Sequence, residues 1–283
     1  MRVRAIAALN AHADDRFLQE IGSGLKLIAQ HASRLAEAAA RLAEGDQGRA
    51  MRVMELIASE EAAKYLVLLD AVRCPIHPPR RRVRQLKRFN DHLAKGIYAA
   101  SVNARPAHFG ELLEFIRSMR QAFYIDGPTG MNWIFPNEVR GRREEALYVD
   151  YVEAEGEHRW WAPNPVWDDP SITRMHVVPR VVKLVKAMDI VRFHAVPSLR
   201  TIMNKWRGFD PDPDTRMTEL RRRTAATLDK LGEQRWPEGM PSEARNTILE
   251  AWPFPLWNQD LSEIEVNPDD LRSQRDSFAP GFR

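Results

Sequence analysis

Apolar residues recur every three or four positions over the first part of the chain, which is the period of an amphipathic α-helix. The pattern predicts one helix over Asp14–Leu42 and a second over Gln47–Val72, with a break at Gly45. Because the link is short, we expect these two helices to form an antiparallel hairpin. Further helices are predicted over Arg80–Ser101 and Ala107–Phe123. The four segments together predict an antiparallel helical bundle.

The pattern changes in the middle of the chain. Apolar and polar residues alternate within Glu145–Trp161, with Gly156 in a polar turn, and this alternation predicts a short β-hairpin. Helical periodicity returns over Ser171–Trp206. Pro179 and Pro197 must kink or split that helix, because proline lacks an amide hydrogen and clashes with the preceding turn.

The end of the chain combines one more helix with an aromatic tail. Met217–Leu231 is predicted to be helical, whereas prolines interrupt the tryptophans from Trp236 onward and predict an extended tail packed over the surface. We therefore divide the chain into a bundle with its hairpin, residues 1–165, and a helical extension with a Pro- and Trp-rich tail, residues 166–283. The predicted fold class is mainly α.

Composition restricts the class of protein. The single cysteine, Cys74, excludes internal disulfides and a Cys-based zinc site, and it fits a reducing cytosol. No apolar stretch approaches the roughly 20 residues that span a bilayer, and the amino terminus lacks a secretory signal pattern. We therefore expect a cytoplasmic protein without a membrane partner. The formal net charge of +3 does not by itself indicate nucleic-acid binding.

Positive charge is concentrated at the start of the predicted third helix. Clustered basic residues create a local anion-binding field even when the whole chain is nearly neutral. The residues predicted to bind RNA phosphates are Arg80, Arg81, Arg82, Arg84 and Lys87, together with Lys64 on the second helix. The run consists of Arg80, Arg81, Arg82, Arg84, Lys87 and Arg88.

Arg88 and His92 are candidates for catalysis. They are four residues apart, so an unbroken helix would present both on one face, with Lys95 on an adjoining face. A histidine can take the proton of a ribose 2′-hydroxyl, and an arginine can hold the phosphate and stabilise the charge that develops on it. This pair would suffice for metal-independent RNA cleavage. The alternative is a solvated basic helix face with an incidental histidine.

The second helix carries the run Glu60, Glu61 and Lys64. Glu60 and Lys64 have the spacing of an exposed ion pair worth about 0.2–0.5 kcal/mol. The functional alternative is that one of the two carboxylates faces the third helix and orients Arg88 or His92.

Other residues offer weaker signals. Tyr148 and Asp150 lie in the predicted hairpin and are secondary site candidates, although a tyrosine on a strand more often packs. Trp160 and Trp161 are expected to be buried staples rather than platforms for bases. The sequence has no histidines at metal-ligand spacing, no phosphate-binding glycine loop and no serine nucleophile elbow. We therefore predict neither a metal nor a cofactor.

Several of these motifs, in this order, resemble the AbiV abortive-infection family. Glu60–Lys64 resembles its Glu-Glu-x-x-Lys helix, and Asp91–Lys95 resembles its His-x-x-Lys segment. Leu147–Asp150, followed by Trp160–Pro163, resembles its Leu-Tyr-Val-Asp strand and Trp-x-x-Pro ending. The resemblance covers about Leu18–Pro165.

The resemblance implies a role in bacterial defence against phage, by stopping growth or synthesis in the infected cell. It also implies a HEPN-like helical fold, a superfamily with many dimeric, metal-independent ribonucleases that use an arginine, four to six residues and then a histidine. Here three residues separate Arg88 from His92 and four separate Lys87 from it. Because many members of that superfamily are dimeric, the resemblance also implies a homodimer. The site that the resemblance implies is His92, supported by Lys95, Glu61 and Lys64.

These observations lead to competing functional hypotheses. The first is a defence effector that cleaves or binds RNA. The second is a non-catalytic protein whose bundle binds a phage or host protein, with the basic helix docked on an acidic partner. A hydrolase or metal enzyme built on Glu61, His92 and Asp150 ranks lowest, because nothing in the sequence indicates that these residues converge.

Overall fold

The computed structural model of the protein is mainly helical. The residues that it describes are 5–45, 47–75, 79–121, 123–126, 132–135, 138–154, 157–162, 176–235, 240–252 and 255–264. None of the described helices combines the length and the apolar character that a membrane span requires.

The helices and strands follow in chain order. The α-helices are α1 (Asp14–Glu44), α2 (Gly48–Arg73), α3 (Pro79–Lys87), α4 (His92–Ser101), α5 (Phe109–Arg120), α6 (Glu138–Leu147), α7 (Arg180–Ile190), α8 (Val196–Trp206), α9 (Met217–Arg235) and α10 (Ser242–Ala251). Short 3-10 helices cover Ile6–Ala11 and Arg88–Asn90. Two antiparallel pairs of strands are β1 (Phe123–Asp126) with β2 (Asn132–Phe135) and β3 (Asp150–Ala154) with β4 (Glu157–Trp161).

The antiparallel pair α1 and α2 forms the centre of the fold, and the two helices predicted there are confirmed. α1 buries a stripe that includes Phe17, Ile21 and Leu25 and leaves its other face to solvent. α2 is buried on all sides in its second half, where every residue of Tyr65–Arg73 is inaccessible. This happens because α1, α3, α4, α7 and α8 all pack around α2. α2 is therefore the element on which the other helices are assembled.

The prediction of one unbroken helix over Arg80–Ser101 is wrong. α3 ends at Lys87, a 3-10 turn follows, and Asp91 has an extended backbone with φ −89° and ψ 118°. The Asp91 carboxylate accepts a hydrogen bond from the Ala94 amide at 3.2 Å and so caps the start of α4. Aspartate competes for backbone donors in this way, which favours a new helix start over a continuing helix.

The segment that links the bundle to the second half also differs from the prediction. Residues 145–147, expected at the start of the hairpin, belong to α6 instead, since glutamate, arginine, alanine and leucine favour helix there. Strand pairing runs over β3 and β4, with Tyr151 opposite Trp160. The helix expected to reach Phe123 ends at Arg120, and the β-prone residues of Phe123–Asp126 form β1.

The expected effect of the prolines on the next helices is confirmed. Pro179 immediately precedes α7, and Pro197 lies in the first turn of α8, where its missing amide hydrogen costs nothing. Residues 171–175, predicted to begin this helical stretch, lie outside the described part of the chain. α7 and α8 pack on α1 and α2, so one apolar core continues across the sequence division proposed at residue 165.

The tail is packed more deeply than the sequence indicates. The proline-free stretch Ser242–Ala251 is α10 rather than extended chain, because Ala244, Ile248 and Ala251 share one buried face. Trp257 is fully buried rather than laid over the surface. The prediction of an extended surface tail is therefore wrong for this part. The remaining tail residues, 236–239, 253–254 and 265–283, lie outside the described residues.

A buried ion pair attaches the C-terminal segment to α2. The Asp70 carboxylate is inaccessible and accepts hydrogen bonds from Arg73 Nε at 2.8 Å, the Tyr98 hydroxyl at 2.5 Å and the Leu256 amide at 2.8 Å. Three tryptophan rings surround the Arg73 guanidinium at 4.9, 4.9 and 5.8 Å from their centroids, in the geometry of cation–π contacts. The rings belong to Trp206, Trp252 and Trp257, respectively.

Candidate functional site

A carboxylate on α2 joins three basic side chains from two other helices. Glu60 Oε2 lies 2.8 Å from His92 Nδ1 and 2.9 Å from Lys95 Nζ, both on α4. Its second oxygen, Oε1, accepts a hydrogen bond from Arg143 Nε of α6 at 3.1 Å. α4 contributes two of these side chains because residues three apart lie on neighbouring positions of a helix surface. We call Glu60, His92, Lys95 and Arg143 the Glu60 cluster.

The Glu60 cluster depends on a close approach between α4 and α6. At Gly96, one residue after Lys95, a side chain would overlap the Cγ1 atom of Val139 on α6. Glycine at this position lets the two helices touch. Arg143 lies one helical turn beyond Val139 and is thereby brought within reach of Glu60.

We expect Gly96→Ala to move α6 away from α4 and to break the contact between Arg143 and Glu60. The helix gains up to about 1 kcal/mol in intrinsic propensity from this change, but the overlap with Val139 is with a rigid β-branched side chain. Thermal unfolding should therefore show a lower Tm for Gly96→Ala. The double variant Gly96→Ala/Val139→Ala should recover most of the loss, and a Tm above wild type for the single variant would contradict the proposed packing.

The Glu60 cluster has an interior side and a solvent side. The Lys95 side chain is 5% exposed and Glu60 is 15% exposed, whereas His92 is 50% exposed. Burial alone would raise the pKa of Glu60, but the hydrogen bond and charge of Lys95, followed by those of His92, outweigh burial and hold it below its usual range. Glu60 is therefore an ionised carboxylate at neutral pH. Among the described residues, it balances only one of the two permanent cations, Lys95 and Arg143.

The contact with Glu60 determines how His92 can act as a base. If Nδ1 carries the ring hydrogen and donates it to the carboxylate, Nε2 keeps a free lone pair for a proton from a ligand. Lys95 Nζ also lies 3.3 Å from Nδ1, but the carboxylate is the nearer neighbour at 2.8 Å. A carboxylate that fixes the tautomer and orientation of a histidine is the arrangement found in catalytic histidines.

The family model HEPN_AbiV, described as AbiV, matches residues 20–182, which is more than half of the chain. The chain belongs to the AbiV family. Membership associates it with abortive-infection defence and a HEPN helical fold. All members of the Glu60 cluster fall within the matched region of this AbiV-family chain. Neither a curated protein nor a solved structure matches the chain.

In this AbiV-family chain, the predicted pairing of Arg88 with His92 on one helical face is wrong. Arg88 lies in a 3-10 turn, and a new helix begins at His92. Arg88 is 5% exposed. Its guanidinium donates to Gln85 Oε1 and to the Leu256 carbonyl, both at 2.7 Å, and to the Gln259 carbonyl. These bonds place the group against the C-terminal segment, where it cannot reach a surface ligand.

The paired carboxylates of the AbiV-like Glu-Glu-x-x-Lys motif have different partners. Glu61, and not Glu60, forms the ion pair with Lys64, whose ammonium also lies 5.4 Å from the centroid of the Phe89 ring. Glu60 is the carboxylate that contacts His92, as the functional alternative for this helix required. The contact with His92 that the sequence left open between the two carboxylates is therefore made by Glu60 and not by Glu61.

α3 divides the predicted phosphate-binding residues between surface and interior. Arg81 Nη1 is paired with Asp210 Oδ2 at 2.7 Å. Arg82 is 4% exposed and lies 4.6 Å from the centroid of the Phe17 ring, so burial removes it from the predicted set. The residues at the surface, spaced for one face of α3, are Arg80, Arg84 and Lys87.

Two further assignments concern the region of α6 and the hairpin. Tyr148 is 50% exposed, whereas the side chain of Asp150 lies outside the described part of the structure.

Arg143 is a site residue that the sequence did not indicate. It lies 83 residues from Glu60 along the chain, and no local spacing connects the two. Among the described residues, no group of three or more His, Cys, Asp or Glu side chains is placed to hold a metal ion.

Proposed function

We propose that this protein is an abortive-infection effector that cleaves RNA, with His92 as the general base and no metal cofactor. The observation that carries the proposal is the Glu60 cluster, in which a half-exposed imidazole is held by a partly buried carboxylate beside two cations. Histidine, carboxylate and cation are sufficient for base-catalysed attack on a phosphodiester.

The reaction uses the groups of the cluster as follows. Nε2 of His92 takes the proton of a ribose 2′-hydroxyl, and the 2′-oxygen attacks the adjacent phosphorus. The 5′-oxygen of the next nucleotide leaves and takes a proton from water, so the products are a 2′,3′-cyclic phosphate and a free 5′-hydroxyl. Arg143, 26% exposed, is the cation best placed to meet the phosphate, whereas the more deeply buried Lys95 holds Glu60 ionised.

The outer face of α3 provides a surface for the RNA backbone. Arg80 and Lys87 are exposed and form no ion pair with any residue that the structure describes, and Arg84, also exposed, donates a hydrogen bond to the Trp257 carbonyl at 3.2 Å. Binding through such residues releases counterions and should therefore weaken steeply as salt is added.

The test is incubation of purified protein with single-stranded RNA in the presence of EDTA. Wild type should produce fragments that end in 2′,3′-cyclic phosphate, and His92→Ala should produce none above background. His12→Ala, a change at an exposed histidine outside the cluster, should behave as wild type. Equal degradation by wild type and His92→Ala, or none by either, would contradict the proposal.

A second candidate function, binding of a phage or host protein, is supported by an exposed aromatic patch. Trp160 is 73% exposed and not the buried staple that the sequence suggested. Its ring centroid lies 5.2 Å from that of Tyr151, with Tyr148 and Val149 also exposed nearby in the chain. Exposed tryptophan and tyrosine dominate the energetics of many protein interfaces. A partner captured from infected cells by wild type and His92→Ala, but not by Trp160→Ala, would support this function.

The homodimer also stays a prediction, which light scattering on the purified chain tests directly. A single shallow basic face holds RNA poorly, and two copies would double the contact. A monomer at micromolar concentration would contradict it.

A further inference from the structure

A surface groove of about 360 Å³ lies where α1 passes Glu61 of α2. Its volume is within the range of small-ligand sites. The groove is outside the Glu60 cluster and uses a different face of α2, because successive residues of a helix point about 100° apart. Its lining residues are Leu27, Ile28, Gln30, His31, Arg34 and Glu61.

The groove combines an exposed apolar side chain with two basic side chains. Leu27 is 67% exposed, which places a large apolar side chain in contact with water. His31 and Arg34 are exposed at the same groove and form no ion pair with any residue among those described. An unpaired guanidinium beside an exposed apolar side chain and an imidazole suits a ligand that is anionic at one end and flat and apolar at the other.

We propose that this groove binds one nucleotide of the RNA strand, with Arg34 on its phosphate and with Leu27 and His31 against its base. The inference rests on the proposed function, because the same strand would pass the Glu60 cluster. An arginine binds phosphate through paired charge-assisted hydrogen bonds, and bases stack on imidazole and apolar surfaces.

The groove and the Glu60 cluster lie at neighbouring positions of α2. Glu61 lines the groove and follows Glu60 directly, so their Cα atoms are about 3.8 Å apart. Lys64 pairs with one carboxylate oxygen of Glu61 and so cancels most of its repulsion toward phosphate. The other oxygen of Glu61 is left to accept a hydrogen bond from a ribose hydroxyl or a base amino group.

The test measures binding of a fluorescein-labelled single-stranded RNA of ten nucleotides, by anisotropy, to protein that carries His92→Ala and therefore does not cleave. Adding Arg34→Ala should raise Kd about tenfold at low salt, as for loss of a charge-assisted phosphate contact. Arg41→Ala is the matched control, since it removes the same exposed side chain from α1 outside the groove. It should change Kd less than about twofold.

The outcomes separate this inference from the proposed function. If wild type cleaves RNA but Arg34→Ala and Arg41→Ala bind it equally, the groove is not a nucleotide site and the proposed function stands. If the protein neither binds nor cleaves RNA, both fail. If Arg34→Ala binds RNA normally but loses a protein partner that Arg41→Ala retains, the groove serves a protein and the inference is overturned.

Discussion

Asp70→Asn is expected to lower the free energy of unfolding by about 3–5 kcal/mol, the usual result of removing one partner of a buried ion pair. The substitution keeps the shape of the side chain but removes the negative charge that pairs with the Arg73 guanidinium, which is 1% exposed. The carboxylate accepts from Arg73 through Oδ1 and from the Tyr98 hydroxyl and the Leu256 amide through Oδ2, whereas asparagine has one oxygen acceptor and an amide NH2 donor. Urea denaturation followed by circular dichroism would measure the change.

The matched control for Asp70 is Asp229→Asn. Asp229 is 58% exposed and pairs with Arg245 at 2.8 Å on the surface, where an ion pair contributes at most about 1 kcal/mol. The two variants make the same chemical change in opposite environments. Similar unfolding midpoints for both would show that the buried pair does not stabilise the fold as argued.

Glu60→Gln is expected to reduce RNA cleavage by about 10²–10⁴-fold, the scale seen when a catalytic histidine loses its orienting carboxylate. The amide cannot fix the His92 tautomer as an anion does, and it presents a donor to Lys95 and Arg143, which are themselves donors. Glu61→Gln makes the same change at the adjacent residue. It removes the Lys64 ion pair but keeps a side-chain oxygen that can accept a hydrogen bond at the groove, and it should cost less than about tenfold.

The same variant has a pH signature in stability. Because the pKa of Glu60 is lowered in the folded protein, its carboxylate stabilises the fold at pH values above the ordinary carboxyl range. That contribution is lost as pH falls through the lowered pKa. Glu60→Gln should therefore be less stable than wild type near pH 7, and the difference should shrink in acid. A difference that does not change with pH would contradict the assignment.

The parts of the fold that sequence predicted well are those determined by local periodicity. The buried stripe of α1 and the proline-split pair α7 and α8 follow from residue spacing and backbone chemistry alone. The break before α4 was missed because Asp91 lies within a continuous apolar period, and only its capping bond to Ala94 shows that a helix begins there.

The candidate site was predictable only in part. His92 and Lys95 share one helix, so their spacing indicated that they act together. The choice of Glu60 over Glu61 depends on the rotation of α2 about its axis, which tertiary packing sets. Arg143 reaches the cluster through the contact of Gly96 with Val139, and no pattern in a single sequence indicates such an approach between distant helices.

The tryptophan rings that enclose Arg73 determine how far the protein can be truncated for recombinant expression. The family match ends at residue 182, yet the tryptophans around this guanidinium come from α8 and from positions beyond α10. A recombinant fragment trimmed to the match would expose the guanidinium together with apolar faces of α1 and α2, and it would aggregate. The smallest useful fragment extends at least through Leu261, the last buried apolar residue of the described core.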